Sequence, residues 1–179
     1  MKPAGRIVVI LAALAGVLGL AGLARADVAT HPAADDDFPV ADHVIVRKAE
    51  RRLELVRNGE VFRTFPVALG ARPEGHKQRE GDQRTPEGTY RLDWRNANSA
   101  FFLAMRVSYP NEEDIRRARA RGEHPGNNIL IHGLPNVPLY PSDHYLYADW
   151  TDGCIAVSNS AMIDIWLSVP DDTPITILP

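Results

Sequence analysis

From Asp42 onward, apolar positions alternate with polar ones in short runs, the spacing of strands that bury one face. Val44-Ile45-Val46 opens the pattern with a β-branched run, and Leu53 and Leu55 continue it between polar neighbours. Asn58-Gly59 then predicts a two-residue hairpin turn, because both positions tolerate positive φ. Val61, Phe62, Phe65, Val67 and Leu69 carry the returning strand, and Pro66, with no N–H to donate, marks an edge or a bulge. Residues 70–81 are polar and charged and predict a long loop. Thr85-Pro86-Glu87-Gly88 predicts a turn feeding a strand over 89–94, with a further strand over 101–107. Ile129-Leu130-Ile131 is a buried-strand signal ending at His132-Gly133, and residues 175–178 form the last strand.

Two stretches have helical signals instead. Asn111 stands as an N-cap before Glu112, Glu113 and Asp114, arginines follow, and Gly122 stops the helix. Its apolar content is only Ile115, Ala118 and Ala120, so a short surface helix with solvated charges is expected. Residues 160–167 predict a second helix, capped by Asn159 or Ser160, with Ala161, Met162, Ile165 and Trp166 toward the core. Residues 134–149, rich in Pro and Tyr, read as loop. The expected fold is mostly β, of the α+β class, with a few short helices, one of them after Cys154. The chain shows no internal repeat and no second domain.

The first 41 residues are different in kind. Lys2 and Arg6 precede an apolar run from Ile7 to Leu23, and Ala24-Arg25-Ala26 is a small-x-small site. Residues 1–26 therefore read as an export signal, either cleaved or retained as an anchor. Residues 27–41, with Asp35, Asp36 and Asp37, read as a solvated linker, and 42–179 as the domain. The chain is expected in the periplasm or cell envelope. Loss of Lys2, Arg6 and Arg25 with the leader leaves 17 basic against 23 acidic side chains, a net of −6. No basic block stands out, which argues against a nucleic-acid partner.

Cys154 is the one cysteine of the chain, so no intrachain disulfide forms. In an oxidising compartment a lone thiol is either a small buried hydrophobe or a group kept for its chemistry. Its neighbours favour the second. Gly153 permits a close backbone approach, and amides at the turn or at the helix start beyond it can hold an oxyanion. A thiol nucleophile needs a base, and His132, just past a buried strand, is the candidate, expected within hydrogen-bonding reach across an open groove. Of the other histidines, His31 and His43 lie in the linker and at the domain edge, and His76 and His124 in polar loops where exposure is expected. His144, in the loop before the cysteine, is a candidate for lining the site.

Ile131-His132-Gly133, followed at a distance by Thr151-x-Gly153-Cys154 and by Asn159 five positions after the cysteine, resembles the L,D-transpeptidase (YkuD-like) catalytic domain family. Gly81-Asp82 and Thr85-Pro86-Glu87-Gly88 also resemble that family's Thr-Pro-x-Gly turn. Two positions depart from it: Asp152 stands where a histidine is usual, and Ala156 where an arginine is common. The resemblance covers residues 42–179 and implies a YkuD-like β-sandwich. It also implies attack by Cys154 on a peptidoglycan stem peptide with His132 as proton acceptor and donor, without metal or cofactor. Gly153, Asp152, Thr151 and Gly133 would support the oxyanion and the turn. Asp152 would accept a hydrogen bond from His132 or a substrate amine, or else cap local amides as a turn acid. Tyr109, Trp150, Asn159 and His144 are candidates for substrate contact. The product would be a crosslink if an amine captures the thioester, and a trimmed stem or a released peptidoglycan-linked protein if water does. A non-catalytic envelope-binding module is the alternative in another class.

Overall fold

Alternation decides the first hairpin. The computed structural model describes residues 39–179, so the expected leader and nearly all of the linker lie outside the described residues. Strand β1 (His43–Arg47) buries Val44 and Val46, and β2 (Arg52–Arg57) pairs with it antiparallel. Asn58 and Gly59 both adopt positive φ, as the turn requires, and β3 (Glu60–Pro66) returns along β2 as a mostly exposed edge.

The rest of the sheet is built around the last strand. In order along the chain come β4 (Gly88–Ser99), β5 (Phe102–Val107), helix α1 (Glu112–Ala120), β6 (Leu130–His132), helix α2 (Ser142–Tyr147), β7 (Ile155–Ala156), helix α3 (Asn159–Ser168) and β8 (Thr173–Leu178). They form one eight-stranded sheet in the order β3-β2-β1-β8-β4-β5-β6-β7. β8 lies between β1, to which it is parallel, and β4, to which it is antiparallel. Beyond β3 the chain crosses to the opposite end of the sheet, where Ala68 bridges Ala156 and Gly70 bridges Thr151. The curled sheet thus wraps one core, in which Leu53, Leu55, Leu92, Met105, Ile131 and Ile175 are wholly buried. α3 lays Ala161, Met162 and Ile165 against it.

The β-rich α+β fold agrees with the sequence, and several details correct it. β4 runs five residues past Trp94 through a polar stretch, because Arg95, Asn96 and Ser99 pair with Met105, Ala104 and Phe102. Cross-strand pairing there overrides composition, and the Arg95 guanidinium lies over the Trp166 ring, 4.9 Å from its centroid, donating to the Trp166 carbonyl. Phe101 belongs to the β4–β5 turn, not to a strand. Residues 134–149 are not all loop, since α2 folds within them. The N-cap of α3 is Ser158, whose side chain accepts from the Ala161 amide. α1 is anchored rather than merely solvated. Asp114 is buried and accepts from the Tyr90 hydroxyl, the Asn111 amide and His76 Nε2. His76 is therefore a largely enclosed partner and not the exposed loop residue expected. Among the described residues no helix is long and apolar enough to cross a membrane.

Candidate active site

β6 and β7 run parallel, with Ile131 beside Ile155 and His132 beside Ala156. One step back along the same register sets Cys154 beside Leu130. Side chains alternate between faces along a strand, so His132 and Cys154 project from one face of the sheet, offset by two residues, or roughly 6.6 Å along the strands. Apolar Ile131 and Ile155 point the other way, into the core.

His132 is 2% exposed and held from several sides. Its carbonyl accepts from the Val157 amide at 2.9 Å, and the next amide, of Gly133, donates to Leu103 at 3.2 Å. Its Nδ1 lies 2.7 Å from the Gly133 carbonyl oxygen. That oxygen can only accept, so Nδ1 carries the proton and Nε2 keeps the basic lone pair. The rings of Phe101 and Trp150 stand 4.6 and 5.7 Å from the imidazole. Burial lowers its pKa to about 4, against the smaller opposing effect of the Gly133 hydrogen bond. The imidazole is neutral at physiological pH, as a base must be.

The cysteine sits on a turn tied by one threonine. Thr151 Oγ1 donates to the Cys154 carbonyl at 2.8 Å and accepts from the Gly153 amide at 3.1 Å. Gly153 has φ +127°, and a Cβ there would meet the Arg84 carbonyl oxygen at 2.5 Å, so only glycine fits. The Gly153 amide is thereby taken, contrary to its expected part in an oxyanion site. Among the described residues the Cys154 amide has no acceptor and is the donor left at the turn. Nor does the helix start reach the sulfur, because β7 and Ser158 separate Cys154 from α3.

Cys154 is partly exposed, and its thiol donates to the Asn128 carbonyl at 3.6 Å. The expected hydrogen bond to His132 is not made, since the parallel register puts the sulfur beside Leu130. Rotation about χ1 is the motion available to bring the two together. Burial pushes the thiol pKa up; the Leu130 amide pulls it down, Asp152 adds to the rise, and Lys77 opposes it. The resting pair is therefore a neutral thiol with a neutral imidazole.

The thiol opens on a groove of about 400 Å³ lined by Lys77, Glu80, Gly126, Asn128 and Asp152. Asp152 is exposed, and among the described residues it bonds neither His132 nor local amides, so it plays neither role expected of it within the chain. A second, apolar groove of about 610 Å³ is walled by Phe101, Trp150, Tyr145, Tyr140, Val137 and Leu139. Trp150 and Phe101 line it and also contact His132. Tyr109 is a correction: it is buried, its hydroxyl donates to the Pro125 carbonyl, and its ring packs on Tyr90, so it meets neither groove. His144 is exposed on α2, its ring tilted against that of Tyr140, which walls the apolar groove. Asn159 faces the backbone instead of a substrate site. Its Oδ1 accepts from the Leu134 amide at 2.8 Å and would lie 2.6 Å from a Cβ on Gly133, bracing the turn after His132.

Lys77, Phe101 and Asn128 escaped the sequence analysis. They lie in polar or turn segments without periodicity; only the Gly81-Asp82 signal pointed near Lys77.

The whole arrangement coincides with a known domain: residues 41–177 match the family model of the L,D-transpeptidase catalytic domain, YkuD. The chain belongs to this family. Within it, the candidate L,D-transpeptidase YafK of Escherichia coli (strain K12) is 33% identical over 98 residues, covering 51% of this chain and 37% of that protein. A point mutant of the helical cell shape determining protein Pgp2 from Campylobacter jejuni is 25% identical with a TM-score of 0.59, over 79% of this chain and 47% of Pgp2. Bd1075 of Bdellovibrio bacteriovorus shares the fold at 23% identity and a TM-score of 0.51, over 79% of this chain and 51% of that one. The chain thus spans between about a third and a half of the length of these three similar proteins.

Proposed function

We propose that this chain is a cysteine-dependent peptidoglycan L,D-transpeptidase acting on stem tetrapeptides in the cell envelope. The observation that supports it best is the placement of His132 and Cys154 on one face of two parallel strands, with His132 Nδ1 committed to the Gly133 carbonyl. Nε2 takes the thiol proton as the sulfur attacks the carbonyl of the diamino acid, forming the S–C bond. The Cys154 amide receives the oxyanion; one such donor lowers the barrier by on the order of 2.7–4 kcal/mol. Collapse breaks the C–N bond to the terminal D-alanine, whose nitrogen leaves with the proton held on Nε2. The thioester is then opened by an acceptor amine, which gives up its proton to His132, to form a crosslink. Envelope location follows from that substrate and from the leader in residues 1–26, and a protein amide-linked to a stem peptide is a further partner open to the same attack.

Incubating the protein with purified peptidoglycan and weighing the released muropeptides tests the assignment. Crosslinked dimers that depend on Cys154 are expected. Shortened monomers without dimers would reassign the chain as a carboxypeptidase, and an unchanged digest would remove the enzymatic reading.

The buried neutral imidazole sets a pH dependence. His132 has its pKa lowered from 6.5 to about 4, so its basic form persists into acid. The acid limb of kcat/KM is expected well below pH 6, near the folded value, instead of near 6.5. Stability carries the matching sign. The unfolded chain takes up a proton below about 6.5 while the folded imidazole resists it, so stability is full above that pH and falls by on the order of 3 kcal/mol down to about pH 4. A limb at 6.5 in the pH–rate profile would mean a solvated, ordinary histidine.

A further inference from the structure

The segment that leads into the cysteine turn is gripped by the tip of the first hairpin, which lines neither of the two grooves. Arg51 closes the turn between β1 and β2 with φ +49°, a left-handed backbone uncommon in a residue that has a Cβ. Its amide donates to the Lys48 carbonyl at 3.1 Å, and its carbonyl accepts from the Val67 amide at 2.9 Å. Its guanidinium also donates to the Lys48 carbonyl. So fixed, the guanidinium forks onto Asp149, 98 positions along the chain. Nε lies 3.1 and 3.0 Å from the two carboxylate oxygens, and Nη2 lies 2.7 Å from Oδ2. Asp149 Oδ1 also accepts from the amide of wholly buried Leu69 at 2.9 Å, and among the described residues that amide has no other acceptor. The backbone carries the ladder on: Thr151 donates to the Leu69 carbonyl at 3.1 Å and accepts from the Ala71 amide at 2.9 Å. Between Asp149 and Thr151 stands Trp150, whose ring covers His132 and whose Nε1 donates to the Tyr145 carbonyl at 3.0 Å. The indole is thus held at its tip by α2 and at its base by the fork. A partly exposed ion pair adds little stability, whereas a two-point fork fixes orientation.

We propose that Arg51 and Asp149 are positioning residues for the reaction: their fork fixes residues 149–151, and through them the Trp150 ring against His132 and the Thr151 tie on the Cys154 turn. The inference rests on the proposed acyl transfer at Cys154 and adds the frame that keeps its base covered. Neither side chain touches the sulfur, the imidazole or a groove in front of them. Opening the fork leaves Trp150 held only at its tip, so water reaches the imidazole and the sulfur and base lose their common alignment. Small misplacements of this kind act on the chemical step more than on binding.

The test compares the full chain with Arg51→Ala, Arg51→Lys and Asp149→Asn by two readouts. The first is titration of the His132 imidazole by NMR, which needs no substrate. Burial is the larger cause of its lowered pKa and the Gly133 hydrogen bond opposes it, so the midpoint reports how well the ring is covered. From about 4 in the wild type, it is expected to rise by roughly one unit toward 6.5 in Arg51→Ala and Asp149→Asn. Arg51→Lys keeps the charge without the fork and should move it less. The second readout is steady-state turnover of a stem tetrapeptide. There kcat is expected to fall on the order of 10- to 100-fold in Arg51→Ala with KM little changed. Asp149→Asn keeps an oxygen for the Leu69 amide, so it remains folded and informative even where Arg51→Ala does not. A lowered urea midpoint with titration and kcat at wild-type values would make the fork an ordinary structural ion pair and overturns the inference. A shifted titration with no turnover by the wild type would sink the proposed reaction and leave the positioning role standing; turnover with an unshifted titration in all three variants would do the reverse.

Discussion

Cys154→Ala is expected to lower turnover of a stem tetrapeptide by at least about 10⁴-fold, with the fold and peptide affinity retained. Removing a nucleophile that forms the covalent intermediate leaves only binding and oxyanion stabilisation, and in comparable machinery that costs 10⁴ to 10⁶. The resting thiol has its pKa raised by burial and donates to the Asn128 carbonyl. It is therefore not a standing thiolate, and attack depends on His132 accepting the proton. His132→Ala should consequently cost nearly as much, and the double variant little more than either alone, since the two residues act as one unit. Single-turnover rates on a purified muropeptide decide the matter. Losses that multiply in the double variant would mean that sulfur and imidazole work independently.

Gly70→Ala is the second large effect, and it acts through the backbone. A Cβ at this position would fall 2.2 Å from the Gln83 carbonyl oxygen and 3.0 Å from Gly153 Cα. Neither is the free end of a flexible side chain, so relief requires moving the segment that carries the nucleophile. Gly70 also donates its amide to Thr85 Oγ1 at 3.1 Å and bridges Thr151. Overpacking of this kind ordinarily costs about 1–3 kcal/mol, and a contact that displaces two backbones falls at or above the top of that range. Gly59→Ala is the control: its φ is +81° but nothing lies within 4 Å, so only the left-handed backbone is strained, at about 1 kcal/mol. Urea midpoints for the two variants, with Cys154 labelling to report site geometry, give the comparison. A Gly70→Ala midpoint no lower than that of Gly59→Ala would show that the approach of residues 70, 83 and 153 is looser than described.

Much of this was legible from local pattern. The Asn58-Gly59 turn, the alternation in β1 and β8, the capping box at Asn111 and the glycine before Cys154 each carry a mechanism that works over a few residues. What escaped was settled by pairing at long range. β4 continues through Arg95 and Asn96 because β5 is there to bond them, and Asp114 is buried because Tyr90 and His76 arrive from elsewhere to meet it. In the site, the identities of sulfur and imidazole were readable, but not their two-residue offset, which is a property of the β6–β7 register. Tyr109 was misplaced for the same reason. An aromatic beside a turn looks available until Pro125 is found to cap its hydroxyl. Lys77 was invisible, since a charged residue in a polar loop gives no sign that Asp82 will meet it in a buried pair.

The position of β8 governs the order in which this chain can assemble. It is the last strand in sequence and sits at the middle of the sheet, between β1 and β4. A growing chain that has reached only β7 holds two half-sheets, each with an open edge where β8 belongs, linked by the Ala68–Ala156 and Gly70–Thr151 bridges. The hydrogen bonds that merge them join β8 to residues 131 positions earlier in β1 and 81–89 positions earlier in β4, a slow closure that leaves adhesive edges uncovered in the meantime. Synthesis from the N-terminus therefore yields no native domain until β8 emerges, and up to that moment the edges of β1 and β4 that it will join stay open.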